Sequence, residues 1–492
     1  MRRYLAKAMR PHPSGVLLAI AVSACSADLP PGTTEFRVGR TVVRTDSMLD
    51  VAGAAFSIGD TSLVPPRGPV RRWLDALRPR SGDTALVRAR ELGAAPISAI
   101  LEAWVSGGAP DSACGVVVPG RRLCLTGNAP VQRELRRFLD AARGAYGRLA
   151  PLGLDNISTD ARLRDLADVY TALTKGKALD SAVIAYTGYP DLQFDVVLAR
   201  TLYPTNLTPG LDPARPRGAR RSIFVVPDPT FPVRSYRSPN YIWLTLVHQM
   251  THEAVRRLFA ERPELLEHGF HLREAAEPEM AVMGYAGVFW DEILGEQLAR
   301  AITVRVMRAT NPTATWAARA EAMNQRMTLV PWFEDALERY EARRDSYPSL
   351  AAFAPHFAAA LDSIPLDTCR GAPSPQVALA GVARHRAVVA WLGDGSPFRA
   401  QRLQVGDTVL TLDGDSVAAA ELLLPTRQLN VKWAQHLPAE LGMMSIRRGG
   451  RSYGVQVPIE WVPREAVRVA AMARDPSGVA PICRWITRAV RR

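Results

Sequence analysis

The hydrophobic period of this chain changes once, at Gly371-Ala372-Pro373-Ser374-Pro375, and that change constrains the fold more than any other feature. Two prolines and a glycine in five residues end regular structure. Upstream, apolar residues recur every three or four positions, the period of a helix buried on one side. The patterning predicts helices over 69–77, 84–101, 131–149, 161–175, 242–260, 290–309, 313–327 and 332–340. Strand-like runs are few there. The clearest are 194–199 and 222–226, on either side of a Pro/Gly-rich loop at 204–217. Downstream, short runs bounded by glycine turns predict strands over 386–391, 407–412, 443–447 and 454–459. The expected class is α+β: a mainly helical domain over 37–365, a small β-rich domain over 376–465, and a basic tail at 466–492.

The first residues address the chain rather than fold it. Arg2, Arg3, Lys7 and Arg10 precede a short apolar stretch at 15–21, and then comes Val22-Ser23-Ala24-Cys25. A basic start, a short apolar core and a small-residue site are the parts of a secretory signal, here 1–24. A bilayer span would need roughly 20 apolar residues. The last four residues resemble the bacterial lipobox. That resemblance implies acylation of Cys25, a membrane-anchored lipoprotein of the bacterial cell envelope, and a flexible tether over 25–36. Ser26 stands after the anchor rather than an aspartate, which by the same resemblance favours the outer membrane over the inner.

Export makes the other four cysteines readable as disulfide partners, because disulfides persist outside the cytoplasm. Cys114 and Cys124 flank a Pro119-Gly120 turn, as in a hairpin closed by a bridge. Cys369 and Cys483 lie before and after the C-terminal module, where a bridge would tie its ends. Two other pairings stay open. None of the four has the spacing of a cysteine zinc cluster. The net charge of +13 permits contact with nucleic acid or anionic membrane. The arginines are scattered, however, and no helix-turn-helix, zinc-finger or aromatic RNA-binding signature accompanies them, so no nucleic-acid partner is expected.

Chemistry concentrates in one apolar helix. His248 and His252, in a chain with eight histidines, are four residues apart and share a face. Two imidazoles need that spacing to share one metal ion. The next strong helix, 290–301, puts Glu292 and Glu296 on one face, continued by Arg300. A carboxylate from a second helix completes a two-histidine zinc site. The alternative is a solvated face paired through Arg300, worth a few tenths of a kcal/mol. Spacing alone leaves both open.

These two helices resemble an uncharacterised bacterial family of gluzincin-like zinc metallopeptidases. In that family an apolar HExxH helix precedes a helix of the form W-x5-E-x3-R-A, and Trp290, Glu296, Arg300 and Ala301 match the second pattern. The resemblance covers 37–307 and implies Zn2+ held by His248, His252 and Glu296, with Glu292 replacing Glu296 if the register slips one turn. The chain departs where the family has its catalytic glutamate, for Gln249 stands there. A neutral amide does not accept a proton, and general acid–base help is worth roughly 10²–10⁴-fold in rate. Glu253, adjacent to His252, turns about 100° away from it on the helix. Glu292 is the alternative base. His268 and His271 read as part of a polar connection between helices.

After the linker, 396–410 with Leu412-Asp413-Gly414 resembles the PDZ domain of bacterial envelope proteases over 376–462. It departs at Arg402, where the family has glycine. The carboxylate-binding loop, whose place falls near Ala378-Leu379-Ala380-Gly381, is not recognisable. Such domains take a peptide as an added strand. Three functions follow from these features. One is a peptide- or protein-binding pseudopeptidase whose groove is zinc-holding or zinc-free, with a PDZ-like second site. Another is an active envelope peptidase with a non-standard base. The third is a structural envelope protein without metal.

Overall fold

A computed structural model describes residues 34–59, 69–92, 104, 112–118, 121–126, 129–152, 159–174, 179–201, 221–227, 236, 239–273, 276, 280, 289–324, 327, 329–364, 366–371, 377–382, 386–393, 396–417, 424–435, 441–458 and 462–467. The expectations for the signal, for Cys25 and for Cys483 lie outside these residues. In chain order the upstream part comprises β1 (Glu35–Val38), β2 (Thr41–Thr45), α1 (Ser47–Gly59), α2 (Pro69–Leu77), α3 (Thr84–Leu92), β3 (Ser112–Val118) and β4 (Arg121–Thr126). Then follow α4 (Ala129–Leu149), α5 (Thr159–Thr174), α6 (Leu179–Thr187), β5 (Phe194–Leu198) and β6 (Arg221–Val225). Among the described residues there follow α7 (Pro239–Glu261), α8 (Trp290–Thr310), α9 (Thr315–Asn324), α10 (Val330–Ala342) and α11 (Leu350–Ser363).

A four-stranded sheet of order β1-β2-β5-β6 organises the helices. β1 is antiparallel to β2, whereas β2, β5 and β6 run parallel. Val43, Val196 and Ile223 are in register, and so are Arg44, Val197 and Phe224 one residue on. Because side chains alternate along a strand, the first set enters one core and Val197 and Phe224 enter another. The first core includes residues of α5 to α11, and the second includes residues of α1 to α4. Parallel strands covered on both faces read as continuous apolar runs, which is why β5 and β6 are visible in the sequence.

Two expectations are corrected here. Residues 35 and 36, assigned to the tether, are paired in β1. The helical part also carries two strands, β1 and β2, that its sequence pattern does not announce. Cys114 and Cys124 are direct cross-strand partners in the β3–β4 hairpin.

The C-terminal part is rich in strands: β7 (Leu366–Gly371), β8 (Val377–Val382), β9 (Arg386–Leu392), β10 (Thr408–Leu412), β11 (Asp415–Ser416), β12 (Leu441–Arg448), β13 (Arg451–Pro458) and β14 (Val462–Val467), with helices α12 (Pro397–Ala400) and α13 (Leu424–Gln435). The main sheet has the order β13-β12-β10-β9-β8, with β11 beside β10. β7 and β14 pair antiparallel and bring the two ends of the module together, Cys369 standing opposite Arg464. β14 runs two residues past the expected boundary at 465. Residues 378–381, expected at a binding loop, lie within the buried strand β8.

Candidate metal centre

The site is built where α7 and α8 pack together. Their approach is close at Gly295, where an added Cβ would stand 3.3 Å from Cε2 of Phe259 and 3.8 Å from Cγ1 of Val255. Two buried hydroxyls tie the helices at the same level. Thr251 Oγ1 lies 2.7 Å from the His248 carbonyl, 3.2 Å from the Ala299 carbonyl and 3.2 Å from Thr303 Oγ1. Thr303 Oγ1 donates in turn to Ala299 O at 2.7 Å. Between Gly295 and Ala299 on α8, the buried side chain of Gln297 accepts from Leu329 N at 2.5 Å, which anchors the helix to the start of α10.

This packing brings three donor side chains together. His248 Nε2 and His252 Nε2 are 3.1 Å apart. Glu296 places Oε1 3.4 Å from His248 Nε2 and Oε2 3.2 Å from His252 Nε2. A tetrahedron with metal–ligand bonds of 2.0–2.1 Å has edges of about 3.3 Å, so these separations fit donors that share one ion. Among the described residues, His248, His252 and Glu296 form the group that could hold a metal ion, with all donor atoms within 4.8 Å of one another.

Burial sets the charge state. Burial first, and the Arg300 guanidinium second, push the His248 imidazole down to about 4. It is therefore neutral at ordinary pH, the state a metal ligand requires. Burial acts to raise the Glu296 carboxyl, but its contacts with His248, Arg300 and His252 outweigh that and hold the group well below the usual carboxylate range. Arg300 Nε donates to Glu296 Oε1 at 2.9 Å, and its Nη1 donates to Glu321 Oε1 at 2.5 Å. Glu296 is thus ionised and fixed in orientation, with Oε2 turned toward His252. Nδ1 of His248 is buried and has no hydrogen-bond partner among the described residues. Metal-binding histidines ordinarily donate this second N–H, and its loss typically costs 10–100-fold in affinity.

Gln249 is buried beside His248. Glu292, one turn before Glu296, is exposed and stands outside the three-donor group. Glu253 is buried and paired with Arg256 at 2.8 Å. His268 binds Asp362 at 2.7 Å and His271 approaches the Ile364 carbonyl at 3.4 Å, so both belong to the contact with the end of α11. Compared with known proteins, this chain matches no family model, no curated protein and no solved structure. The site is therefore read from its own chemistry. Glu321, Thr251 and Thr303 were not singled out by the sequence pattern. Nothing in the spacing marks them, since Glu321 comes from α9 and the threonines meet across two helices.

Proposed function

We propose that this chain is an exported, lipid-anchored envelope protein whose helical domain is a zinc-holding, metallopeptidase-like scaffold for peptides, with weak or no hydrolysis. Its C-terminal module is a PDZ-like domain serving as a second peptide site. The observation that carries the reading is the convergence of His248, His252 and Glu296 at 3.1 to 3.4 Å, with His248 neutral and Glu296 ionised. Two imidazoles and one carboxylate are a donor set suited to zinc. Zinc, when bound there, would supply Lewis-acid polarisation of a peptide carbonyl or of water. Arg300 keeps the Glu296 carboxylate in place, and the Thr251–Thr303 contact holds the two helices in register.

Gln249 decides between binding and hydrolysis. Its amide can hydrogen-bond a ligand but does not take up a proton. Glu253 is engaged by Arg256, and Glu292 is exposed and outside the three-donor group, which supports weak or no hydrolysis. The test uses the chain starting at Ser26, dialysed against zinc. The expected result is one zinc per chain, lost in His248→Ala, and little cleavage of a mixed-peptide library. Gln249→Glu is then expected to raise chelator-sensitive cleavage by roughly 10²–10⁴-fold. If the wild-type protein takes up no zinc and zinc leaves its stability unchanged, the metal reading fails. Strong chelator-sensitive cleavage by the wild type would overturn the pseudopeptidase reading.

A further inference from the structure

A strand at the end of a sheet presents unpaired backbone groups, and a strand-adding domain uses them to receive its peptide. In the C-terminal module one such end is β8, and α13 runs beside it. The edge is not open. Ala378, Leu379 and Ala380 on β8 are at most 1% exposed, and Thr426, in the first turn of α13, is 0% exposed. The Thr426 hydroxyl accepts from Leu379 N–H at 2.7 Å and donates to Leu379 C=O at 2.7 Å. In an antiparallel ladder, a hydrogen-bonded residue pair exchanges these two bonds. One hydroxyl therefore makes at Leu379 the two bonds that a residue of an incoming strand would make. β9 also slips its register at this point, between Ala378 and Leu379, with Val389 opposite Leu379.

We infer that Thr426 is an internal latch that holds the strand-addition edge of this module closed, so that a peptide enters only when α13 lifts from β8. The inference rests on the PDZ-like reading for what the opened edge receives, whereas the latch rests on the two bonds to Leu379 alone. In Thr426→Val the volume is kept and both bonds are lost, leaving a buried N–H and C=O without partners in the closed form. The closed form is then disfavoured. Apparent peptide affinity rises in proportion to the open fraction.

The experiment uses the whole chain. Amide exchange of the β8 segment is followed by mass spectrometry in wild type, Thr426→Val and Thr426→Ser. Immobilised samples of the same proteins are challenged with a pool of random nine-residue peptides bearing free C-termini. In Thr426→Val, β8 amides are expected to exchange about 10- to 100-fold faster, with the helical domain unchanged. Thr426→Ser keeps the hydroxyl and is expected to behave as wild type. Peptides are expected to be retained at least about tenfold better by Thr426→Val. Unchanged β8 exchange in Thr426→Val overturns the latch, and so does wild-type protein that retains peptides equally well. Faster β8 exchange with no peptide retained by either protein leaves the latch standing and removes the PDZ-like reading. If the valine variant loses its folded signal, Thr426→Ala repeats the test with a smaller side chain.

Discussion

Among the described residues outside the candidate metal centre, Asp50 is an acid strongly altered by its surroundings. It sits on α1 with 2% of its surface exposed. Its carboxylate has Thr201 Oγ1 at 3.5 Å and Arg162 Nη2 at 3.9 Å, too far for a strong charge-assisted bond. Burial dominates, and despite Arg162 and Arg200 it pushes the carboxyl up to about 7. A folded value above the unfolded one means that folding favours the protonated acid. The corresponding stability is fully present below about pH 4, declines as the unfolded chain ionises, and is gone once pH passes about 7. The full swing is on the order of 4 kcal/mol. Asp50→Asn keeps the shape without the titration. We expect its unfolding free energy to fall several kcal/mol less than that of wild type between pH 4 and pH 8, measured by urea denaturation. Parallel pH profiles would assign the burial cost to another group. A second residue carries backbone strain. Arg402 has a left-handed φ of 61°, a conformation that costs a non-glycine residue about 1–2 kcal/mol.

At the scale of elements, the site depends on how closely two helices approach. Gly295 precedes Glu296, and its missing side chain leaves room for Phe259 and Val255 of α7. In Gly295→Ala the new methyl meets Phe259 at 3.3 Å, a contact that a small ring shift relieves. Better helix propensity, worth about 1 kcal/mol, offsets that cost. Gly295→Val adds branches that nothing relieves, and overpacking of this kind costs about 1–3 kcal/mol. We therefore expect the alanine variant to melt near wild type. The valine variant should melt lower and bind zinc more weakly, because Glu296 is carried away from the histidines. Equal zinc affinity in all three proteins would show that the donor geometry does not depend on this approach.

The same elements show what the sequence could reveal. His248, His252 and the Glu296 face are legible because spacing on a helix alone puts them on shared faces. The Arg300–Glu321 contact depends on where α9 packs, and no local period encodes that. α11 escapes a pattern reading because Pro355 lies inside it and looks like a breaker. α1 escapes because Leu49, Val51, Ala52, Ala54, Ala55 and Phe56 are all buried, leaving little one-sided apolar stripe to detect. β1 is four residues long and alternates between exposed and half-buried positions, too short a run to stand out.

Across the whole molecule, apolar burial divides at the linker where the hydrophobic period changes. Two cores lie on opposite faces of the β1-β2-β5-β6 sheet, and both are built from residues upstream of 365. They share the sheet, so α1 to α11 are expected to unfold as one body. Among the described residues, the third core, from Val377 to Val457, takes none from either of the others. It has its own anchors in Phe398 and Trp433, whose rings lie 5.0 Å apart. Its ends are closed by the six-residue pairing of β7 with β14, so the module does not rely on its neighbour to fix its termini. Size and core both lie within the range of domains that fold alone. A fragment of residues 366–467 is therefore expected to fold by itself, with strand-rich circular dichroism and the amide-protection pattern of the same segment in the full chain. The full chain should melt in two calorimetric transitions. Zinc should raise the one belonging to the helical body and leave the other in place, since only the bound domain gains from mass action. A fragment without protected amides, or a single transition that zinc moves as a whole, would mean that the two parts stabilise each other across the linker.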